Sequence, residues 1–213
     1  QPIALICPSE VKMYIVGLTG GIASGKSHAA NYLVAKGAQT LNCDSLGHES
    51  YTKGSASYAK IVSTFGVDVL DANDEIDRRV LGPIVFSHPK EMDKLTAITW
   101  PAIRELINHK IQDLEKDLAN KLLILEAAVL IEAGWFDLVD EVLVVHTPIS
   151  SAITRIKSRD NLDSDQAQER INAQISNEER VNFANYTIEN SGKISDFELA
   201  LDTYWDKLQG KLE

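Results

Sequence analysis

The chain has 213 residues, 31 acidic against 21 basic side chains and a formal net charge of −10. That balance argues against a broad surface for nucleic acid or anionic lipid, but leaves room for a local Lys/Arg pocket around one small phosphate compound. The length suits one domain with its own core, and 44% hydrophobic residues is ordinary for a globular chain. The two cysteines, Cys7 in an expected tail and Cys43 in an expected strand, fit no metal spacing and suit a reducing compartment. The longest apolar run, Leu122 to Ile131, is interrupted by Glu126 and is too short to span a bilayer.

In chain order, residues 1–12 carry two prolines without periodicity and read as a tail or linker. Tyr14 to Leu18 reads as a buried strand ending in a glycine-rich turn. Lys26 to Lys36 has helical spacing, with Ala29, Ala30, Leu33 and Val34 on one side. Ala38 to Cys43 reads as a second strand ending at Asp44. Tyr51 to Phe65 and Ile76 to Phe86 read as short helices, and Pro101 to Ala119 as a long amphipathic one opened by its proline. Leu122 to Leu125, Glu141 to His146 and Tyr186 to Ile188 are three further strands. Ser150 to Arg159 reads as a helix, Asp163 with Gln166 as a capping arrangement, and Ser195 to Glu198 as a capping box before a stripe of Phe197, Leu201, Tyr204 and Leu208. Continuous apolar strands alternating with helices imply an α/β fold with a parallel sheet covered on both faces.

The strongest chemical signal is Gly20-Gly21-Ile22-Ala23-Ser24-Gly25-Lys26-Ser27, which satisfies G-x-x-x-x-G-K-[ST] between an expected strand and an expected helix. Glycines let the backbone curl so that N–H groups point at phosphate oxygens. In such loops the lysine reaches the β- and γ-phosphates and the Ser hydroxyl binds Mg²⁺. No G-x-G-x-x-G dinucleotide fingerprint and no Asn-Lys-x-Asp guanine-reading segment occur. His28, His88, His109 and His146 have no ligand spacing. Two readings fit Asp44 equally. It is either an acid at the end of a strand, able to take a proton or hold Mg²⁺ through water, or a turn and cap residue. Glu126 ends the third strand, as an acid near a metal or as a helix cap. Arg155 and Arg159 lie one helical turn apart, as a phosphoryl clamp or as a solvated basic face.

Several blocks together, GLTGGIASGKS, NCDSLGH-x2-Y-x2-G, IDRRVLGPIVF, LEAAVLIEAGW, RIKSRDNLDSDQAQERINAQ and YTIENSG, resemble the dephospho-coenzyme A kinase family over roughly residues 13–195. The resemblance implies a P-loop three-layer αβα domain over 13–213 with a five-stranded parallel sheet. It also implies a helical substrate-binding region over about 48–118 and a lid over about 150–175. It implies phosphorylation of the ribose 3′-hydroxyl of dephospho-CoA by ATP with Mg²⁺. Asp44 would be the catalytic base, with Lys26 and Arg155 offsetting charge. ATP would contact the loop from Gly20 through Ser27, with His28, Arg155, Arg159, Asn190 and Gly192. Asp44, Leu46, Tyr51, Arg78, Glu126 and Leu130 would face dephospho-CoA, and Ser27 would hold the metal, with Asp44 or Glu126 acting on it through water.

Two departures from many bacterial members, Glu126-Ala127-Ala128-Val129 for Asp-x-Pro-Leu and Trp100-Pro101 for His-Pro, look like the animal-type kinase half of a bifunctional CoA synthase. An excised domain and a cytoplasmic setting, with mitochondrial association as the other option, are the matching expectations. The competing classes are another small-molecule P-loop kinase, acting on a nucleoside monophosphate or a sugar acid, and a non-catalytic nucleotide-binding module. The first would lack the blocks around Asp44, Arg78 and Glu126, and the second could discard the acid and the lid arginines.

Overall fold

The computed structural model describes residues 12–117, 119 and 121–212; the expected tail, apart from Lys12, lies outside them, and so does Cys7. The chain divides into two compact units, residues 42–112 and the remainder.

The larger unit is built on a five-stranded sheet. Its strands are β1 (Tyr14–Thr19), β2 (Gln39–Asn42), β3 (Leu122–Glu126), β4 (Glu141–His146) and β5 (Tyr186–Glu189), in the order β2-β3-β1-β4-β5. β1 pairs in parallel with β3 and β4, and β4 with β5. The three central strands are buried almost throughout, which is why their sequences are unbroken apolar runs. The edge strands β2 and β5 are short and mostly exposed.

One face of the sheet is covered by α1 (Lys26–Ala35) and α9 (Ile194–Leu212). Ala29, Ala30 and Leu33 of α1 and Phe197, Leu201, Tyr204 and Leu208 of α9 join Val16, Leu18, Ile124, Leu143 and Val145 in one core. Val34, expected on the same side, is instead 37% exposed, and Ala29, Ala30 and Leu33 are the buried residues of α1. Gly17 in β1 admits Leu130 closely: a Cβ there would lie 2.6 Å from Leu130 Cδ1.

α6 (Ile149–Asp160), α7 (Ser164–Asn172) and α8 (Asn177–Val181) follow β4. α7 opens with the expected capping box between Asp163 and Gln166. The box expected at Ser195 does not form. α9 already begins at Ile194, so Ser195 is a helical residue, and the Lys193 carbonyl accepts from the Asp196 and Phe197 amides.

The smaller unit holds α2 (Cys43–Glu49), α3 (Ala56–Phe65), α4 (Arg78–Phe86) and the start and middle of α5 (Pro89–Glu115). Its core gathers Tyr51, Ile61, Val69, Ile76, Leu81 and Val85. Four boundaries differ from the sequence reading. Cys43 and Asp44 begin a helix rather than ending a strand, because Asn42 caps it by accepting from Ser45 N at 3.2 Å. α3 starts at Ala56, where Ser55 accepts from Tyr58 N at 3.1 Å, and α4 starts at Arg78 after the Asp77 cap. Pro101 does not open a helix but lies inside α5, whose first residue is Pro89, the position where a missing N–H is harmless.

Candidate active site

The loop between β1 and α1 is shaped by contacts that only small residues permit. A Cβ at Gly20 would fall 2.2 Å from the Val145 carbonyl oxygen. Gly25 has a left-handed φ of 98° and a Cβ there would lie 2.5 Å from Asn190 Nδ2. Ala23 also takes a positive φ, 60°, a strained choice for a residue with a side chain.

Groups behind the loop bind its carbonyls. Arg155 Nη1 donates to Ala23 O at 3.0 Å, and Asn190 Nδ2 donates to Ser24 O at 2.8 Å. Arg155 Nη2 in turn donates to Asn190 O at 2.9 Å and to Asn190 Oδ1 at 3.2 Å, and Thr147 Oγ1 donates to Asn190 O at 2.6 Å. With carbonyls tied at the back, the concave side of such a turn presents N–H groups to an anion. Ile22 N is one of them, and it donates to Gln174 Oε1 at 2.9 Å.

Lys26 and Ser27 converge on one oxygen. Lys26 Nζ lies 2.9 Å from Glu126 Oε1 and Ser27 Oγ donates to the same atom at 2.7 Å. Glu126 ends β3, which is hydrogen-bonded to β1, so the sheet itself brings the acid to the loop at the C-terminal end of the strands. This carboxylate is 4% exposed and turns to the loop rather than capping a helix. A hydroxyl beside a carboxylate suits a hard cation that also takes phosphate oxygens. No group of three or more His, Cys, Asp or Glu able to hold a metal alone occurs among the described residues.

The other expected ligands in this unit are placed as follows. Arg159 is exposed and pairs with Asp160, 2.7 Å away, which also takes Arg170. His28 lies beside Glu198, 3.1 Å away, on the outer side of α1. Gly192 is exposed just after Asn190. Leu130 is fully buried over Gly17.

In the smaller unit, Asp44 is exposed in the first turn of α2, where a helix N-terminus favours a negative charge. Leu46 and Tyr51 are buried there, the latter edge-to-face with His48, and Arg78 is exposed at the start of α4.

Three residues near the loop escaped the sequence reading: Gln174, Asn177 and Arg180. Of these, Gln174 closes the RINAQ block, which was its one available signal. Asn177 Nδ2 donates to Thr147 O at 2.8 Å, which fixes α8 against the end of β4.

A sequence model of the dephospho-CoA kinase family matches residues 14–196. The chain belongs to that family. A dephospho-CoA kinase from Geobacter sulfurreducens is 37% identical over 195 residues, 92% of this chain and 98% of the relative. One from Moorella thermoacetica is 35% identical over 200 residues, 94% of each chain. Among solved structures, the dephospho-CoA kinase of Campylobacter jejuni is similar at a TM-score of 0.60 and 27% identity, covering 92% of this chain and 97% of that one. The Thermus thermophilus protein TT1252 reaches 0.75 at 29% identity, covering 92% of this chain and 98% of its own. Shikimate kinase from Acinetobacter baumannii, at 15% identity and 0.52, shares the fold. Dephospho-CoA kinases and shikimate kinase thus meet on the same α/β scaffold. No helix among the described residues is long and apolar enough to cross a membrane.

Proposed function

We propose that this protein transfers the γ-phosphate of ATP to the ribose 3′-hydroxyl of dephospho-CoA, giving CoA and ADP. The observation that carries the phosphotransfer reading is the convergence of Lys26 and Ser27 on Glu126 beneath a loop whose carbonyls are tied from behind. Membership of the dephospho-CoA kinase family supports the choice of acceptor.

In this reading the loop amides from Gly20 to Ser27 bind the phosphates. Lys26 turns from Glu126 toward the phosphate oxygens, a short swing for a flexible side chain. Arg155 and Asn190 hold the loop in shape, and Arg159 with Gly192 would border the rest of ATP. Ser27, with Glu126 or Asp44 through water, would hold Mg²⁺, which supplies charge neutralisation across the phosphates when bound. The 3′-oxygen attacks the γ-phosphorus while the bond to the β-phosphate oxygen breaks and ADP leaves. Asp44 takes the hydroxyl proton as the general base. Arg78, with Leu46 and Tyr51 shaping the unit around it, offers a cation to the phosphates of dephospho-CoA. Catalysis of this kind is positioning and electrostatics, since the loose transition state needs little covalent help.

A mass-spectrometric assay with Mg-ATP against dephospho-CoA, adenosine monophosphate and gluconate tests the proposal. One added phosphate on dephospho-CoA alone is the expected result. Product on another acceptor would keep the kinase and reject the substrate. ATP binding with no product on any of them would point to a regulatory module.

A further inference from the structure

Arg180 is unlike the other basic side chains among the described residues. It sits in α8 at 1% exposure, yet its Nε and Nη2 have no hydrogen-bond partner among the described residues. Nη1 donates to Ile175 O at 3.3 Å. Nη2 lies 3.6 Å from Glu132 Oε1, an ion pair too long for a hydrogen bond, and Glu132 Oε2 is also without a partner. Burial draws the Arg180 pKa down from the ordinary arginine value, with Glu132 and Glu179 opposing. A guanidinium does not lose its proton under these conditions, so burying it with two of its nitrogens unpartnered is a standing cost that an anion would relieve.

The position of Arg180 indicates which anion. It borders a cavity of about 700 Å³ whose wall also includes Gly21, Ile22, Ser24, Gln174 and Asn177. A Cβ at Gly21 would meet Arg180 Nη1 at 3.4 Å, Asn177 Oδ1 at 3.5 Å and Gln174 Oε1 at 3.8 Å, so this part of the phosphate loop faces the arginine directly. Beside it, Gln174 Oε1 already accepts the Ile22 N–H at 2.9 Å, in the manner of a phosphate oxygen. Lys26, at the far end of the loop, reaches across the β- and γ-phosphates, and Ser27 takes the metal beside them. Ile22 is four residues upstream, where the terminal one would reach. Arg155 is the other arginine at the loop, but both its terminal nitrogens are committed to Ala23 and Asn190.

We infer that the corner made by Gly21, Ile22, Gln174 and Arg180 is the seat of the γ-phosphate: Arg180 binds its oxygens through the Nη1–Nη2 edge, of which Nη1 faces Gly21 and Nη2 has no hydrogen-bond partner, and Gln174 yields the Ile22 amide to it. This rests on the kinase reading above, and it assigns a residue that discriminates ATP from ADP. A planar two-nitrogen edge matches a phosphate better than a lysine would.

The test compares the full chain with Arg180→Gln, Arg180→Lys and Glu132→Gln by calorimetric titration with ADP and with a non-hydrolysable ATP analogue. Turnover of dephospho-CoA and thermal unfolding are measured in the same preparations. Arg180→Gln is expected to weaken the analogue by roughly tenfold or more and to lower kcat on the order of 10²-fold, as loss of one charge-stabilising donor does, with ADP affinity within about twofold of the parent. Arg180→Lys keeps the charge and the packing, so it carries the test if the Gln variant does not fold, and it should recover part of the loss in analogue affinity. Glu132→Gln should keep the preference for the analogue over ADP. Equal weakening of both nucleotides, or a lowered unfolding temperature in Arg180→Gln and Glu132→Gln with the preference intact, would make Arg180 a structural partner of Glu132 and overturn the inference. If the parent binds both nucleotides but does not convert dephospho-CoA, the acceptor assignment fails, while the affinity ratio still decides the role of Arg180.

Discussion

Two buried glutamates at opposite ends of the same sheet use similar chemistry to different ends. Glu126 closes β3 at the C-terminal edge of the strands and is 4% exposed; Glu141 opens β4 at the N-terminal edge and is 5% exposed. Each carboxylate is met by a lysine and by hydroxyl groups. Glu126 receives Lys26 and Ser27, both from the start of α1 at the end of the phosphate loop. Glu141 receives Lys211, the Tyr204 hydroxyl and the Tyr14 hydroxyl, the last at 3.0 Å, from α9 and β1. In the proposed reaction a nucleotide recruits Lys26 and Ser27, so these contacts of Glu126 have to be exchangeable. Those of Glu141 are locked between the last helix and the sheet. A buried acid alone therefore says little about function; the strand end on which it sits, and whether its partners have somewhere else to go, say much more.

The comparison is broken most strongly at Lys26. Lys26→Ala should lower kcat/KM for ATP by a factor on the order of 10³ and leave Glu126 as a buried acid short of a cation, read by steady-state kinetics. Asp44→Asn should reduce turnover on the order of 10²-fold or more while ATP affinity, measured by titration, changes little. Near-normal turnover in that variant would remove Asp44 from the role of base.

The paired variants Glu126→Gln and Glu141→Gln sharpen the contrast. The first should cut turnover on the order of tenfold or more with a small change in unfolding temperature. The second should cost about 1–3 kcal/mol of stability, seen in denaturant unfolding, with kcat preserved.

The pH dependence follows from the same cluster. Burial pushes the Glu141 carboxyl up, but Lys211, Tyr204 and Tyr14 together outweigh it and hold the pKa below the ordinary glutamate value. Burial and then Glu141 push the Tyr204 phenol up, so it remains a donor at all working pH. A carboxyl with a depressed folded pKa contributes stability above its unfolded pKa and loses it as pH falls through the folded one. Acid unfolding should therefore be shallower in Glu141→Gln than in the parent below the ordinary carboxylate range. The smallest effects separate two caps. Asp163→Ala should lose about 1 kcal/mol with its capping box, and Ser195→Ala should stay within about 0.5 kcal/mol, because Ser195 caps nothing.

What was legible in the sequence follows the strength of the local signal. The central strands and the phosphate loop were plain, because burial on both faces removes polar residues and because a loop that must approach Val145 O and Asn190 so closely has to be glycine at Gly20 and Gly25. Glu126, Arg155 and Asn190 were singled out through spacing or family resemblance as contacts of substrate, metal or ATP; that Arg155 and Asn190 hold the loop's own carbonyls was not legible. α2 was hidden because Cys43-Asp44-Ser45 followed by Gly47 has poor helix propensity, and the Asn42 cap overrides it. The true start of α5 was hidden by Pro101, which usually marks a helix end but is carried here inside a helix of 27 residues. Arg180 was hidden for a different reason. It lies in the polar run Asn177-Glu178-Glu179-Arg180, and no periodicity distinguishes a buried arginine there from a solvated one. Only the fold, by setting α8 beside Gly21, shows what it faces.

The most direct measurement locates the added phosphate. The purified chain is incubated with Mg-ATP and dephospho-CoA, and the product is fragmented by tandem mass spectrometry, with Lys26→Ala run in parallel. One new phosphate on the 3′-oxygen of the ribose, formed by the parent and lost in the variant, is the predicted result. A phosphate placed elsewhere on the molecule, or the same product formed equally by Lys26→Ala, would contradict the account.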